Sequence, residues 1–230
     1  MQEYSMSTIG TAPDRPDAYD MIVVHNAFRR HFDALPGLVA AVASGDVERA
    51  RRLVAFLDEL AAGLHQHHTC EDELMWPILL ERAPADAASV LRMEEQHERI
   101  AELTGRAHRR GIEFATAADP SIRDRLAATL RELADALDEH LAEEERHILP
   151  VVENVMTALE WQALGERGRA HMPKDRRLIF LGFLLQGVPA TARRKLLAEM
   201  PFPARLAWRL LGRRAFTKEY REIYRADPQW

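Results

Sequence analysis

Along most of the chain, apolar residues recur at alternating spacings of four and three, the pattern of a helix that buries one face. The first such stripe extends from Met21 to Val42, and the second from Leu53 to Ile78. The third extends from Val90 to Ala107, and the fourth from Leu126 to Val151. A strand would instead show alternation with a period of two, and no segment competes in this way. The pattern therefore predicts an all-α protein built on four amphipathic helices.

Signals between the stripes predict where these helices begin and end. Asp46 and Asp119 are suited to cap helix N-termini, and Thr157 begins a capping-box sequence that opens a fifth helix. Pro36 interrupts the first stripe and predicts a kink there. Gly111 is expected to end the third helix. Four helices with short connections are typical of an up-down-up-down four-helix bundle.

Charge divides the chain into unequal parts. Residues 1–170 contain 18 Arg, no Lys and 31 acidic residues, a balance of −13, whereas residues 171–230 contain 13 basic and 5 acidic residues, a balance of +8. We therefore predict a four-helix bundle over residues 18–158 and a basic helical extension over residues 159–230. The polar, Pro-containing residues 1–17 are predicted to be a disordered tail. The extension is expected to dock on the acidic bundle through Trp208, Phe216 and Tyr220.

Other features limit the compartment and the partners. The only cysteine, Cys70, excludes an internal disulfide, which fits a reducing cytosol. The N-terminus lacks the apolar core of a signal peptide. The longest apolar run, Leu178 to Leu185, is far shorter than the roughly 20 residues that span a bilayer. We expect a soluble cytoplasmic protein without a transmembrane segment. The extension could contact anionic lipid or nucleic acid, but docking on its own bundle is favoured, so no nucleic-acid partner is expected. A protein partner could bind through it.

The pattern His-x3-Glu-x5-Pro occurs twice, displaced by 73 residues, and each copy follows a lone histidine 42 or 43 residues upstream. The residues are His25, His67, Glu71 and Pro77 in the first half, and His97, His140, Glu144 and Pro150 in the second. Residues at positions i and i+4 share one helix face, so each His-Glu pair offers two ligands to a metal ion. All four of these histidines lie on stripes that are otherwise apolar.

This doubled arrangement indicates a metal site. A single histidine on such a stripe would be interpreted as a hydrogen-bonded packing residue, but an isolated polar group in a core is costly, and chance would not repeat the spacing. Imidazole with carboxylate suits iron, zinc or manganese. Two half-sites suggest two ions. If both glutamates bridge them, each ion receives two histidines and two carboxylate oxygens, and an oxo or hydroxo bridge leaves one position open.

These residues resemble the hemerythrin-like (HHE cation-binding) family over roughly residues 20–155. The resemblance implies a four-helix bundle holding a non-haem di-iron centre that binds dioxygen or reacts with peroxide. It implies two iron ions in preference to zinc or manganese. The matching ligands are His25, His67, Glu71, His97, His140 and Glu144.

One position departs from the oxygen-carrying members, which place a second histidine four residues after the third-helix histidine. Here that residue is Ala101. His147, on the fourth stripe, or His68, beside His67, could supply the missing donor, or neither does. The departure argues against simple reversible oxygen carriage. We therefore favour a redox enzyme or scavenger, such as one that breaks down peroxide, with no dedicated protein acid or base. The alternatives are an iron or oxygen sensor, and a protein that binds oxygen or iron without turnover.

Overall fold

The structure, a computed structural model, describes residues 15–229 and is helical, with no strand among these residues. The predicted all-α class is confirmed. Most of the predicted disordered tail, residues 1–14, lies outside the described residues. Of its remainder, Arg15 donates a hydrogen bond to Asn154 (3.1 Å), and Asp17 pairs with Lys195 (3.3 Å).

Within residues 15–229, the α-helices are α1 (Tyr19–Ala40), α2 (Val47–Cys70), α3 (Trp76–Arg82), α4 (Ala87–Ala117), α5 (Pro120–Glu143), α6 (Leu149–Val155), α7 (Ala158–His171), α8 (Arg177–Leu185), α9 (Ala190–Glu199), α10 (Phe202–Ala207) and α11 (Arg213–Tyr224). Three π-helical turns join α2 to α3, α5 to α6 and α10 to α11, so these pairs are continuous. They are Glu71–Met75, Glu144–Ile148 and Trp208–Gly212. A short 3-10 turn, Pro84–Asp86, precedes α4.

The four long helices, α1, α2, α4 and α5, surround a common core. Helix α1 contacts α2 and α5, and α4 contacts the same two helices. Up to Glu71 and Glu144 the predicted stripes face inward, and Leu35, Leu53, Val90 and Leu126 are fully buried. Beyond these glutamates, the predicted positions Ile78 and Val151 are only partly buried. Among residues 15–229, every helix is too short or too polar to traverse a bilayer.

The predicted N-caps are confirmed. The Asp46 side chain accepts a hydrogen bond from the backbone N–H of Arg49, and Asp119 accepts from those of Ser121 and Ile122. Thr157 forms a complete capping box with the residue three positions later. Each cap satisfies N–H groups that lack a partner within the helix, so it defines where the helix begins.

The predicted end of the third helix was wrong. Helix α4 continues through Gly111 to Ala117, and Ala118 then adopts left-handed backbone angles with φ of 48°. Gly111 packs against α2, where an added Cβ would lie 3.2 Å from a methyl group of Val54. The glycine therefore permits close approach of α2 and α4. Helix α1 is continuous through Pro36.

Apolar residues of the C-terminal segment join the core of the four long helices. Trp208 and Phe216 are buried there, and Tyr220 is partly buried against it. Phe183, Leu185 and Ile223 belong to the same cluster and were not among the predicted docking residues. Arg176 of this segment pairs with Glu59 of α2 at 2.5 Å. This ion pair is two-pronged and its side chains are only 24% and 23% exposed, so it contributes to the attachment together with the apolar burial.

Two glycines allow the C-terminal helices to pack closely. A Cβ added at Gly182 of α8 would overlap the Phe216 ring of α11. One added at Gly212 would lie 3.2 Å from the Cβ of Leu178 in α8, and it would also overlap the Trp208 ring of its own π-turn. Neither ring can withdraw easily, because both are buried. A side chain larger than hydrogen would therefore separate the two helices.

The substitution Gly182→Ala should lower the free energy of unfolding by about 1–3 kcal/mol, because the added methyl group overlaps Phe216. Gly37→Ala is the matched control, since Gly37 is also helical and exposed, and an added Cβ there meets nothing within 4 Å. It should stabilise the protein by about 0.5–1 kcal/mol through helix propensity. Urea denaturation would measure both. Equal effects of the two substitutions would contradict the proposed close packing.

His31 links α1 to the C-terminal segment. Its Nδ1 lies 2.5 Å from the Tyr224 hydroxyl, with which it forms a hydrogen bond. The ring of Phe183 lies edge-on to it, with centroids 4.8 Å apart. Burial, with a smaller contribution from Arg30, lowers the pKa of His31 to about 3. The imidazole is therefore neutral at neutral pH, and folding excludes its protonated form.

This burial should make stability fall in acid. In the unfolded chain His31 takes up a proton below a pKa of about 6.5, whereas the folded protein resists protonation until pH about 3. Lowering the pH from 7 to 5 should therefore cost roughly 2 kcal/mol at this site. We expect His31→Phe to remove that component, measured by urea denaturation at both pH values. The exposed control His65→Gln should leave it unchanged. Unaltered pH dependence in His31→Phe would contradict this assignment.

Candidate metal centre

The structure brings the six predicted ligands together in the interior and adds a seventh residue, His68. The first group consists of His25, His67, Glu71 and Glu144, and the second consists of His68, Glu71, His97 and His140. Within each group, the candidate ligand atoms all lie within 4.8 Å of one another. Glu71 belongs to both groups, so the two form one site with a shared carboxylate.

Each of the four long helices contributes to this site, which lies between two apolar clusters. Helix α1 provides His25, α4 provides His97, and the C-terminal ends of α2 and α5 provide the His-Glu pairs with the first residues of the following π-turns. One cluster, on one side of the site, includes Phe32, Leu64, Ile100 and Leu137. The other includes Met21, Met75, Met93 and Ile148. The ligands are therefore held by packing on both sides.

A π-helical turn begins at each glutamate. The backbone N–H of Trp76 bonds to the carbonyl of Glu71, and that of Leu149 bonds to the carbonyl of Glu144, five residues back in both cases. Pro77 and Pro150 explain the wide turns, because proline lacks an N–H and its ring clashes with the carbonyl four residues earlier. The widened turn removes that clash. Such turns are frequent at functional sites.

The 73-residue repeat extends beyond the ligands. Buried residues that follow the two glutamates correspond in pairs: Met75 with Ile148, Trp76 with Leu149, and Leu79 with Val152. The two halves therefore place their glutamates in the same way. His68 breaks the repeat, because the residue 73 positions later is the buried Leu141.

His68 and His147, the two candidates for a further ligand, occupy different environments in the structure. The His68 ring is buried and stacks on the ring of His97, with centroids 3.9 Å apart and planes inclined by 9°. His147 is exposed and belongs to neither group. The prediction that His147 shares the inward stripe was wrong, because the π-turn Glu144–Ile148 adds one residue to the turn. Ile148 takes the inward position instead.

The atoms facing the centre lack hydrogen-bond partners. They are Nε2 of His25, His67, His68, His97 and His140, and both carboxylate oxygens of Glu71 and of Glu144, and all are buried. His67 Nε2 lies 3.1 Å from Glu71 Oε1, and His25 Nε2 lies 3.3 Å from Glu144 Oε2, without hydrogen-bond geometry. Ligands held about 2.1 Å from one ion would be separated by roughly 3–3.5 Å.

These unpaired atoms test whether the residues fit a metal. Buried donors and acceptors are normally hydrogen-bonded, and a cluster without partners is expensive in free energy. A cation would satisfy all of them at once. Neutral imidazole and carboxylate together suit iron, manganese or zinc. The donor set therefore fits the metal site that the sequence predicts.

The outward nitrogens of three histidines are held by oxygen acceptors. The Nδ1 atoms of His25 and His97 lie 3.0 Å from Glu145 and 2.8 Å from Asp72, and that of His140 lies 3.1 Å from the amide oxygen of Gln96. An acceptor at Nδ1 fixes the proton there, so the Nε2 lone pair faces the centre.

The acceptors are oriented in turn. Arg29 donates to Glu145 at 2.6 Å, and the indole N–H of Trp76 donates to Asp72 at 2.9 Å. Sequence reasoning missed both carboxylates. A signal was available, because Asp72 and Glu145 each follow a ligand glutamate and are themselves 73 residues apart. Gln96 precedes His97 and carries no such signal.

Burial shifts the protonation equilibria of the site toward neutral forms. It raises the pKa of Glu71 well above its usual range, and the neighbouring Glu144 raises it further. The pKa of Glu144 is also raised by burial, although the nearby His25 opposes the shift. Burial lowers the pKa of His67, His68 and His140. A bound cation would reverse the penalty on the carboxylates, because it supplies the missing opposite charge.

The two groups are not equivalent. The second offers three imidazoles with the shared Glu71, whereas the first offers two imidazoles with two carboxylates. Glu144 also approaches the second group, since its Oε2 lies 3.8 Å from His140 Nε2. Both glutamates are thus placed between histidines of the two groups.

Comparison with known proteins agrees with this geometry. The family model described as the hemerythrin HHE cation binding domain matches residues 18–152, more than half of the chain. Comparisons with curated proteins and with solved structures gave no match. The matched segment contains every residue of the two groups. The resemblance predicted from the doubled His-Glu motif is confirmed, and the chain belongs to the hemerythrin HHE cation-binding family.

Proposed function

We propose that the site holds two iron ions and reacts with dioxygen or peroxide, with peroxide breakdown as the favoured reaction. The observation that carries the proposal is the set of unpaired, buried nitrogen and oxygen atoms that converge from four helices. His25, His67 and Glu144 would hold one ion. His68, His97 and His140 would hold the other. Glu71 would bridge them, and the position of Glu144 supports a second bridge.

This function suits the surroundings of the site. A bound iron pair supplies the change between ferrous and ferric states and a position for exchangeable ligands. The protein's own residues orient the ligands and keep bulk water away. Phe28 lies against His67, with ring centroids 5.3 Å apart, and Trp76 lies 5.8 Å from His97. Glu145 and Asp72 hold protons at the outward ring nitrogens, so the ligating nitrogens stay unprotonated.

His68 changes the expectation from sequence that the two ions are equally open. With His68, one ion receives three imidazoles and the other receives two. We propose that dioxygen or peroxide binds beside His25 and His67, where the protein supplies fewer nitrogen donors. His68 also restores a fifth histidine, so Ala101 no longer argues against oxygen binding without turnover, which remains the nearest alternative.

A sensor is the second candidate, and one observation favours it. Helix α1 carries His25 in the site and His31, six residues later, in the contact with Tyr224 and Phe183. A change in metal occupancy that shifted α1 would therefore reach the C-terminal segment directly.

We further propose that the four long helices form an up-down-up-down bundle over residues 18–158, with residues 159–230 as an extension that docks on it. The pairwise contacts of α1, α2, α4 and α5 support the first part. The apolar cluster shared by Phe183, Trp208 and Phe216 with those helices supports the second.

The two candidate fifth histidines can be distinguished by matched substitutions. His68→Leu introduces the residue found at the equivalent position 141, so the core should still pack. It should weaken metal binding by more than the roughly ten- to hundredfold lost with a supporting residue. His147→Leu should leave binding unchanged, because that side chain is exposed. Metal content and chelator competition would measure both. Metal loss in His147→Leu alone would overturn the assignment of His68.

Iron-loaded protein should contain about two iron atoms per chain and should release oxygen when peroxide is added. Metal analysis and an oxygen electrode would measure these properties, with the metal-free protein as the control. His140→Ala should lose both ions, because the glutamates couple the two groups. Two bound irons without oxygen release would exclude peroxide breakdown and favour binding without turnover. A partner protein that binds only the loaded form would favour the sensor.

A further inference from the structure

An apolar row lies uncovered on the outer side of the C-terminal helices. Phe202 and Leu206 of α10 are four residues apart, and Leu210 follows in the π-turn Trp208–Gly212. All three are exposed, by 68%, 42% and 59%. Leu211, beside them, is 66% exposed. Residues 15–229 contain nine large hydrophobic side chains that are exposed, and four of them lie in this stretch of ten residues. Scattered exposed residues are ordinary, but a contiguous row indicates an interaction surface.

The same helix is strongly basic. From Pro201 to Lys218 the sequence contains no acidic residue, but it contains Arg205, Arg209, Arg213, Arg214 and Lys218. Arg214 and Lys218 continue the apolar row at the same four-residue spacing, and both are exposed. The outer face therefore changes from apolar to cationic along its length.

A shallow depression lies within the cationic part. It has a volume of about 600 Å³ and is lined by Arg209, Arg213, Arg214, Thr217, Lys218, Arg221 and Glu222. Within residues 15–229, neither Arg209 nor Arg214 has an ion-pair partner, although Arg221 pairs with Asp227 at 2.5 Å. Guanidinium groups gathered in this way suit phosphate, which they bind in a two-pronged geometry.

In the part of the chain that the structure describes, the acidic helices do not cover this face. The opposite side of the same helix carries Trp208, Gly212 and Phe216, all buried in the contact with α8 and the core. Attachment to the protein thus uses one side of the helix and leaves the other side outward. A partner that covers this face must therefore offer both an apolar region and negative charge.

We propose that residues 202–218 form a docking surface for an anionic membrane, on which the helix lies parallel to the bilayer plane. Phe202, Leu206 and Leu210 would enter the boundary between headgroups and acyl chains. The arginines around the depression would bind lipid phosphates. A helix with a basic face and Phe, Leu or Trp beside it has the composition of an interfacial helix. Nucleic acid would use the arginines but would leave the leucine row exposed to water.

The test is co-sedimentation of the full-length protein with vesicles of phosphatidylcholine alone or with phosphatidylglycerol added. Binding should require the anionic lipid and should weaken at high salt. Leu206→Ser with Leu210→Ser should reduce partitioning by about tenfold or more, since the apolar contribution is lost. Arg209→Glu with Arg214→Glu should reduce it by at least about 25-fold, because each cation near such a surface contributes about fivefold.

Matched controls are available on the four long helices. Leu91→Ser with Ile112→Ser removes apolar residues of similar exposure (52% and 53%), and Arg109→Glu with Arg131→Glu makes the same charge change at exposed sites. Neither should alter vesicle binding. Circular dichroism and metal content would verify that each variant is folded.

Several results would overturn the proposal. The first is the absence of binding to anionic vesicles. The second is binding that survives the leucine substitutions, which would indicate a purely electrostatic contact. The third is tighter binding to single-stranded DNA or to polyglutamate than to the vesicles, which would assign the face to a different polyanion. The fourth is concentration-dependent self-association that the leucine substitutions abolish, because a second copy of the chain would then cover the row.

Discussion

The structure depends on one constraint: two carboxylates and five imidazoles face one another in a core that excludes water. Each of these groups would be costly if it were buried alone, and together they are tolerable only when a cation satisfies their unpaired atoms. The surrounding features serve this constraint. Apolar clusters close the site on both sides, and acceptors at Nδ1 turn the histidines inward. Metal binding and folding are therefore coupled.

The 73-residue repeat accounts for the paired residues of the site. One exception to the repeat, His68, makes the two groups of candidate ligands different. Glutamates, following carboxylates, prolines and packing residues all recur after 73 residues. His68, a member of the second group, is the exception, because the equivalent residue 73 positions later is the apolar Leu141. A symmetric site would treat its two ions alike. In the proposed di-iron centre, the added imidazole would give one ion more protein ligands than the other, and exchangeable ligands would bind to the ion with fewer.

Much of the fold and of the candidate site could be predicted from the sequence, because the residues that determine them recur at regular spacings. Helix type, N-caps and the six candidate ligands follow from stripes, cap residues and a spacing that occurs twice. Gly111 was misinterpreted because glycine ends a helix in one context and permits close helix packing in another, and only the position of Val54 distinguishes them. The orienting residue Gln96 and the anchors Phe183 and Ile223 depend on which helices meet, which no local pattern encodes.

The π-turns at Glu71 and Glu144 have a consequence for comparing this chain with its relatives. A wheel projection that assumes 3.6 residues per turn places every residue after these glutamates about one position out of phase. His147 and Ile148 exchange faces in such a projection. An alignment of the family that keeps Pro77 and Pro150 as fixed columns would preserve the correct phase, because the prolines mark where the helix resumes its normal pitch.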